Sequence, residues 1–372
     1  MSRINSGSLL LLTPKVNGHD GISLVSRTAL AVFRQSRQFD RIAVWTLADQ
    51  SFTPEQSGPG LCCATAGGSK LELTKWGWGA ALRTNGRYDL LLVLHLHLLP
   101  VALPMAMRGV RLGIFLHGIE AWKPLTRLQD AGFRRASFVL ANSHYTAERF
   151  KQINPQHAQL EISICHLGIP TVPEASGDSL LSEGPYALIV SRMSRESRYK
   201  GHDSLIDLWP EVLRHAPGFR LFVVGDGDER PRLEQAVKTA GLAEHVKLLG
   251  LVDDQKLQRL YEGCSFYMMP SSGEGFGLVF LEAMRASKAC IAGAGAAAEV
   301  VQDGVTGLVV DPSSPHELLG AILQLIQHPD RAQRMGVAGY QRFLEHFTQE
   351  SFGLRLHRAL GLESLGVSGC AG

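Results

Sequence analysis

The chain has 372 residues, of which 45% are hydrophobic and 19% charged, with 37 basic side chains against 35 acidic ones. This composition argues against disorder and against a single small domain, and a formal charge of +2 lacks the basic excess of a dedicated nucleic-acid binder. Six cysteines (Cys62, Cys63, Cys165, Cys264, Cys290 and Cys370) form no C-x-x-C pair, so neither a zinc site nor a disulfide framework is expected.

Short apolar runs bounded by turn residues recur along the chain, and stretches of helical periodicity lie between them. In the first half the predicted strands are Leu9–Leu12, Ile42–Leu47, Leu90–Leu94, Leu112–Leu116, Phe138–Ala141 and Ile162–Cys165. Leu9–Leu12 is too short for a secretory segment, so a cytoplasmic location is expected. Gln50 to Ser69, rich in Gly, Ser, Thr and Pro, predicts a surface loop. Leu90 to Met107 lacks charged residues, but His95, His97, Pro100 and Pro104 interrupt it. A buried strand followed by a loop therefore fits better than a spanning helix.

From Gly168 turn formers accumulate without any period, which places a domain boundary at about 168–184. Beyond it the predicted strands are Tyr186–Val190, Arg220–Val224, Val246–Leu249, Phe266–Met269, Cys290–Ala292 and Leu308–Val310. The pattern then turns helical through Leu318, Ile322 and Ile326, and again through Phe343, Phe347, Phe352 and Leu356, before a tail at Gly361–Gly372 that reads as frayed. Twelve buried strands alternating with helices are too many for one doubly wound sheet and suit two.

The strongest motif follows Phe266–Met269. Pro270-Ser-Ser-Gly-Glu-Gly-Phe-Gly carries Gly273, Gly275 and Gly277, which let a backbone turn sharply beside a ligand. A helix then opens at Leu278, and its positive dipole end suits a diphosphate. Glu274 and Glu282, separated by seven residues, place two carboxylates at different depths, where each can accept several hydroxyls. After Tyr186–Val190 comes Ser191-Arg192-Met-Ser-Arg-Glu-Ser-Arg-Tyr-Lys200-Gly-His. Its Arg192 and Lys200 could neutralise a diphosphate at the carboxyl end of a first strand, whereas Arg195 and Arg198 read as solvated. Gly225 and Gly227 open no dinucleotide fingerprint, because position 230 is Arg, which disfavours an NAD enzyme. Asp226 and Asp228 suit turn formation and helix capping as well as ligand contact.

The glutamate, seven residues, glutamate arrangement with its Glu-Gly-Phe-Gly centre resembles the signature of glycosyltransferase family 4. The likeness is close over about 186–330 and looser over 8–170. It implies an α/β GT-B fold with two facing Rossmann-like domains and a cleft between them. An acceptor domain would occupy 1–170 and a donor domain 184–345, with 346–372 returning to the first. The resemblance assigns Arg192 and Lys200 to the diphosphate, Glu274 to the transferred sugar and Glu282 to the ribose. Gly225 and Val252 would lie near the nucleoside, beside Gly275, Phe276 and Gly277. The first domain would contribute His117, at the end of Leu112–Leu116, through a sugar hydroxyl or a proton shuttle, and either Gly18 or Gly21 through an amide to the phosphate. Asn142 and Ser143 match a segment lining the cleft, with helix capping the stronger reading.

Two departures stand out: Gly295-Ala-Ala-Ala-Glu299 replaces a Gly-Gly-x-Pro-Glu type turn, leaving Glu299 outside the site, and Asn17-Gly18-His19-Asp20-Gly21 replaces adjacent glycines. The expected activity is retaining transfer of a hexose from GDP-mannose or a UDP-hexose to a glycan or lipid-linked acceptor, in cell-surface polysaccharide or glycolipid synthesis. A sugar-nucleotide epimerase and a binding module without turnover remain open. No Asp-x-Asp motif is present, so no metal or other cofactor is expected beyond the nucleotide sugar as co-substrate. Eight basic residues against three acidic ones between Arg108 and Lys151 could steer the first domain to the inner face of a membrane.

Overall fold

The computed structural model describes residues 7–18, 20–52, 58–83, 88–171 and 184–362. The chain divides into two compact units, Met1–Pro170 with Thr348–Gly372, and Thr171–Phe347.

The first unit runs β1 (Gly7–Thr13), α1 (Gly21–Ser36), β2 (Phe39–Thr46), β3 (Leu61–Thr65), α2 (Lys70–Leu82), β4 (Leu90–Val93), α3 (Leu99–Met107), β5 (Arg111–Leu116), α4 (Arg127–Phe133), β6 (Phe138–Ala141), α5 (His144–Ile153) and β7 (Ile162–Ile164). Its strands form one sheet in the order β3-β2-β1-β4-β5-β6-β7, with parallel pairing throughout. The chain winds outward from β1 in one direction, returns, and winds from β4 in the other. Connections therefore diverge at β1/β4, which is where doubly wound sheets leave a crevice at their carboxyl ends. Leu9 to Leu12 and Leu90 to Val93 are almost wholly buried, as strands covered on both faces must be.

The second unit runs β8 (Tyr186–Val190), α6 (His202–His215), β9 (Arg220–Val224), α7 (Arg230–Thr239), β10 (Val246–Gly250), α8 (Asp254–Gly263), β11 (Phe266–Met269), α9 (Leu278–Arg285), β12 (Cys290–Gly293), α10 (Ala297–Val300), β13 (Gly307–Val310), α11 (Pro315–Gln327) and α12 (Pro329–His346). Its sheet is ordered β10-β9-β8-β11-β12-β13, so the divergence recurs at β8/β11. The last helix, α13 (Gln349–Leu360), belongs to the first unit. There Gly353 approaches Val32 of α1, and a Cβ at this position would lie 3.2 Å from the valine methyls. Arg355 donates to the His166 carbonyl at 2.9 and 3.1 Å, and Arg111 donates to the Leu360 carbonyl at 3.0 Å.

Two elements differ from the sequence reading. Gln50–Ser69 contains the edge strand β3. Its Leu-Cys-Cys-Ala-Thr segment pairs on one side only and is half exposed, so it lacks the apolar run that marks a central strand. The loop expected after β4 is mostly helix α3, because Pro100 lies in the first turn, where no amide partner is needed, and tertiary packing tolerates Pro104 further in. Residues 172–183 of the expected boundary, 53–57 of the Gln50–Ser69 stretch, His19 and 363–372 of the tail lie outside the described residues.

Candidate functional site

In the second unit the loops that follow β8 and β11 meet at the divergence of the sheet. The β8 loop starts at Ser191, whose amide donates to Val224 O at 3.0 Å. It leads through a 3-10 turn, Arg195–Lys200, to Gly201 in the left-handed region at φ 91°. A Cβ on Gly201 would lie 2.8 Å from the Pro270 ring, so only glycine lets this loop touch the β11 loop. Ser272 N donates to Tyr199 O at 3.0 Å and closes the junction. Across it the Lys200 ammonium pairs with the Glu274 carboxylate, with side chains 13% and 17% exposed. The ammonium also lies 5.1 Å from the Tyr199 ring centre. Arg192 is exposed in the same loop.

Neighbouring strands complete this edge. Gly225 N donates to Gly250 O at 3.0 Å, which joins the ends of β9 and β10 beside Val252. A Cβ on Gly225, at φ 133°, would fall 2.0 Å from Ser191 O, so the β8 and β9 loops are in backbone contact. Gly277, at φ 96°, begins α9 without a side-chain cap. Phe276 turns its ring inward, 2% exposed, against Phe347 at 6.0 Å, which leaves its backbone as the part available to a ligand. One turn and more into α9, Glu282 accepts a hydrogen bond from the Tyr261 hydroxyl at 2.8 Å. Desolvation pushes the Glu282 carboxyl above its ordinary value, and the Tyr261 hydroxyl opposes that shift.

The β8 loop is held from behind by ion pairs. Arg198, read as solvated from sequence, is exposed and also forks onto Glu229, with Nε at 2.7 Å and Nη2 at 3.0 Å. Arg232 binds the same carboxylate and also grips Asp203 at 2.6 Å. These partners, Arg198 first, depress Glu229 to about 2. Asp226 and Asp228 serve the turn, accepting from Gly227 N and Arg195 N, while α7 has no side-chain cap. His202, lowered to about 4 by burial, is bonded to the Ser191 hydroxyl at 2.9 Å.

His117, Gly18 and Gly21 belong to the first unit. His117 follows β5; its backbone is fixed by Glu120, which accepts from His117 N at 2.6 Å, and by Asn142, which donates to His117 O at 2.8 Å. Both ring nitrogens are buried, with no hydrogen-bond partner among the described residues. Burial lowers the ring to about 3, so it is neutral near pH 7, with one nitrogen to donate and one to accept. His95, lowered to about 4 chiefly by burial, lies close enough to reinforce that shift. Ser143 caps α5 by accepting from Thr146 N at 3.0 Å. Arg27 donates to Gly18 O at 2.7 Å, and Gly21 is the first residue of α1, capped by Asp20. Among the described residues no group of three or more His, Cys, Asp or Glu is placed to hold a metal ion.

Sequence reasoning missed Tyr261 and the Glu229 ion pairs. Tyr261 falls on the buried side of α8 next to Leu260 and reads as a core aromatic, and no spacing rule links Arg198 to an acid 31 residues away.

A glycine-turned helix start opposite a cationic loop, at the crevice of a doubly wound sheet, is an arrangement of α/β units that suits an anion. The family model described as "Glycosyl transferases group 1" matches residues 184–328. A GDP-mannose-dependent alpha-(1-6)-phosphatidylinositol monomannoside mannosyltransferase of Mycolicibacterium smegmatis is 31% identical over 303 residues, 75% of this chain and 78% of that one. The protein of that name from Mycobacterium tuberculosis is 36% identical over 167 residues, 43% of each chain. Among solved structures, HepE of Anabaena in complex with UDP has a TM-score of 0.76 at 23% identity, covering 95% of this chain and 99% of that one. Sucrose-phosphate synthase from Thermosynechococcus elongatus has a TM-score of 0.75 at 19% identity, covering 95% and 98%. The chain belongs to the group 1 glycosyltransferases, of the family 4 type, and its two Rossmann-like units are those of the GT-B fold.

Proposed function

We propose that this glycosyltransferase moves a hexose, with retention at the anomeric carbon, from a nucleoside diphosphate sugar to a glycan or lipid-linked acceptor. The observation that carries the reading is the Lys200–Glu274 pair, which sets a cation for the diphosphate beside a carboxylate for sugar hydroxyls at the β8/β11 crevice. The second unit binds the donor and the first presents the acceptor. The acceptor oxygen bonds to the anomeric carbon as the bond from that carbon to phosphate breaks on the same face. The acceptor proton passes to the departing phosphate oxygen, giving glycoside and nucleoside diphosphate. Lys200, Arg192 and the α9 start stabilise the charge that builds on the diphosphate, Glu274 holds sugar hydroxyls, and Glu282 holds the ribose. His117, neutral, exchanges a hydrogen bond with a hydroxyl. The cations and helix start take the role a divalent ion would fill, so transfer proceeds without one.

The dependence of the Mycolicibacterium relative on GDP-mannose supports that donor as the first to test. Its lipid acceptor supports action at the cytoplasmic face of a membrane, and a surface of the first unit suits peripheral contact. On α2, Leu71, Trp78 and Leu82 are 67%, 55% and 73% exposed and share one side of the helix at spacings of seven and four. Lys70, Lys75 and Arg83 accompany them, and no helix among the described residues is long and apolar enough to span a membrane.

The test incubates purified protein with GDP-mannose or UDP-glucose, with and without a panel of glycan and glycolipid acceptors, in EDTA. Transfer with an α-anomeric product by NMR is expected. Sugar-nucleotide isomers formed without acceptor would identify an epimerase, and binding without any product would identify a module lacking turnover. Activity abolished by EDTA and restored by Mg²⁺ would overturn metal independence. Sedimentation with phosphatidylglycerol vesicles, reduced by Trp78→Ser, checks the membrane contact.

A further inference from the structure

Glu282 occupies an unusual position for a carboxylate that must receive hydroxyls: desolvation works against its charge, and among the described residues a tyrosine hydroxyl donates to its side chain. Tyr261 is 2% exposed on α8 and donates to Glu282 Oε2 at 2.8 Å, with Val279 O a weaker second acceptor at 3.4 Å. The phenol stays protonated at every physiological pH, because burial and the neighbouring carboxylate raise it well above its ordinary value. It is therefore a permanent donor.

The segment that carries it is itself fixed. Tyr186 of β8 donates to Leu260 O at 2.8 Å. Gly263 makes room for that hydroxyl, since a Cβ there would lie 2.7 Å from it. Tyr267 of β11 lies 5.6 Å from the Tyr261 ring and reaches Val190 O, the last carbonyl of β8, at 3.4 Å. Three buried phenols thus bind α8, β8, β11 and α9 around Glu282. A carboxylate presented to a vicinal diol must keep both its charge and its rotamer, and one donor on one oxygen supplies both while leaving the other oxygen's lone pairs for the ligand.

We propose that Tyr261 is a positioning residue of the donor site, whose hydroxyl fixes the Glu282 carboxylate for the two hydroxyls of the nucleotide ribose. The inference rests on the reading of Glu282 as the ribose partner. Without the hydroxyl, Glu282 would remain desolvated and lose the hydrogen bond that, ahead of the nearby Arg285 charge and against that of Asp254, favours its charged form.

The experiment measures, by calorimetry, the affinity of GDP and of 2′,3′-dideoxy-GDP across pH 5 to 9, with UDP and its dideoxy form used if UDP is the diphosphate that stabilises the unmodified protein. Unmodified protein, Tyr261→Phe, Glu282→Gln and the double variant are compared. Tyr261→Phe is expected to weaken the ribose form roughly tenfold, to leave the dideoxy form unchanged, and to move the acid limb of ribose binding to higher pH. In the Glu282→Gln background it should add nothing. A Tyr261→Phe protein with the original ribose preference and pH profile, beside a Glu282→Gln protein that has lost them, overturns the proposal and leaves the ribose reading standing. Equal weakening of both ligands by Tyr261→Phe assigns it to packing and also overturns the proposal. A Glu282→Gln protein that keeps full ribose preference sinks the ribose reading, and the proposal with it. Should Tyr261→Phe lower the Tm too far for titration, Tyr186→Phe, which loosens the same segment from β8, must reduce the ribose preference, and an unchanged preference there counts against the proposal.

Discussion

At the divergence of the second sheet, one loop carries Arg192 and Lys200, and the loop facing it carries Glu274 and opens α9. At the divergence of the first sheet, the loop after β4 carries His95 and His97, both shifted below the ordinary imidazole value by burial, and β5 is followed by His117, lowered to about 3. Strand order at the two places is the same, with the central pair flanked by chains winding in opposite directions. Their chemistry is opposite in kind, since the second edge carries cationic side chains suited to a diphosphate and the first carries neutral imidazoles suited to hydroxyls. Shared topology supplies a crevice, and the residues placed on its rim decide what the crevice receives.

The largest effect that would test this contrast comes from Lys200→Ala. Because the charge on the leaving diphosphate grows toward the transition state, kcat should fall by about 30- to 1000-fold, equivalent to about 2–4 kcal/mol, with a smaller change in donor KM. Near-normal kcat in folded Lys200→Ala protein would return the loop to a solvated surface. The two glutamates come next. Glu274→Gln should lower transfer by about 100-fold while leaving affinity for the free nucleoside diphosphate nearly intact, since that product lacks the sugar. Glu282→Gln should weaken the diphosphate itself by about 1.5–3 kcal/mol, through loss of charge assistance to the ribose. Equal losses of diphosphate affinity in the two variants would erase the division of labour.

On the neutral edge, His117→Ala should lower kcat/KM for the acceptor by roughly three- to tenfold without altering diphosphate affinity, as expected for one hydrogen bond between neutral groups. That acceptor contribution should stay flat as pH falls from 8 to 5, because the ring does not gain a proton until about 3. A rate limb near pH 6.5 that disappears in His117→Ala would show an imidazolium at work instead. The smallest effect belongs to Glu229→Gln, which should lower the Tm. Glu229 is depressed from 4.5 to about 2, so its ion pairs add stability above pH 4.5 and lose it as pH falls toward 2. The Tm gap between the two proteins should therefore close across that range, and a gap that persists at pH 2 would refute the linkage.

Much of the fold was legible because buried parallel strands announce themselves as unbroken apolar runs. Twelve such runs coincide with strands, and the thirteenth, β3, escaped because an edge strand needs to be apolar on one side only. Pro100 and Pro104 hid α3, since a local helix breaker says nothing of the packing that overrides it. Within the proposed site, Glu274, Glu282, Arg192 and Lys200 could be nominated from residue type and spacing beside a strand end. The pairing of Lys200 with Glu274 could not, as the two stand 74 residues apart.

By itself the sequence determined the alternation of strands and helices, the glycines at which backbone must turn, and the residue types available to a nucleoside diphosphate sugar. These follow from local rules of burial period, backbone freedom and charge. Only the tertiary structure decided that the exposed Arg198 would clamp Glu229, that burial of the ring nitrogens would keep His117 neutral at pH 7, and that Tyr261 would hold Glu282. Each of these depends on which groups converge across the sheet and how much water they exclude, and both the dielectric around a charge and the partner that satisfies it are set by segments far away in the chain.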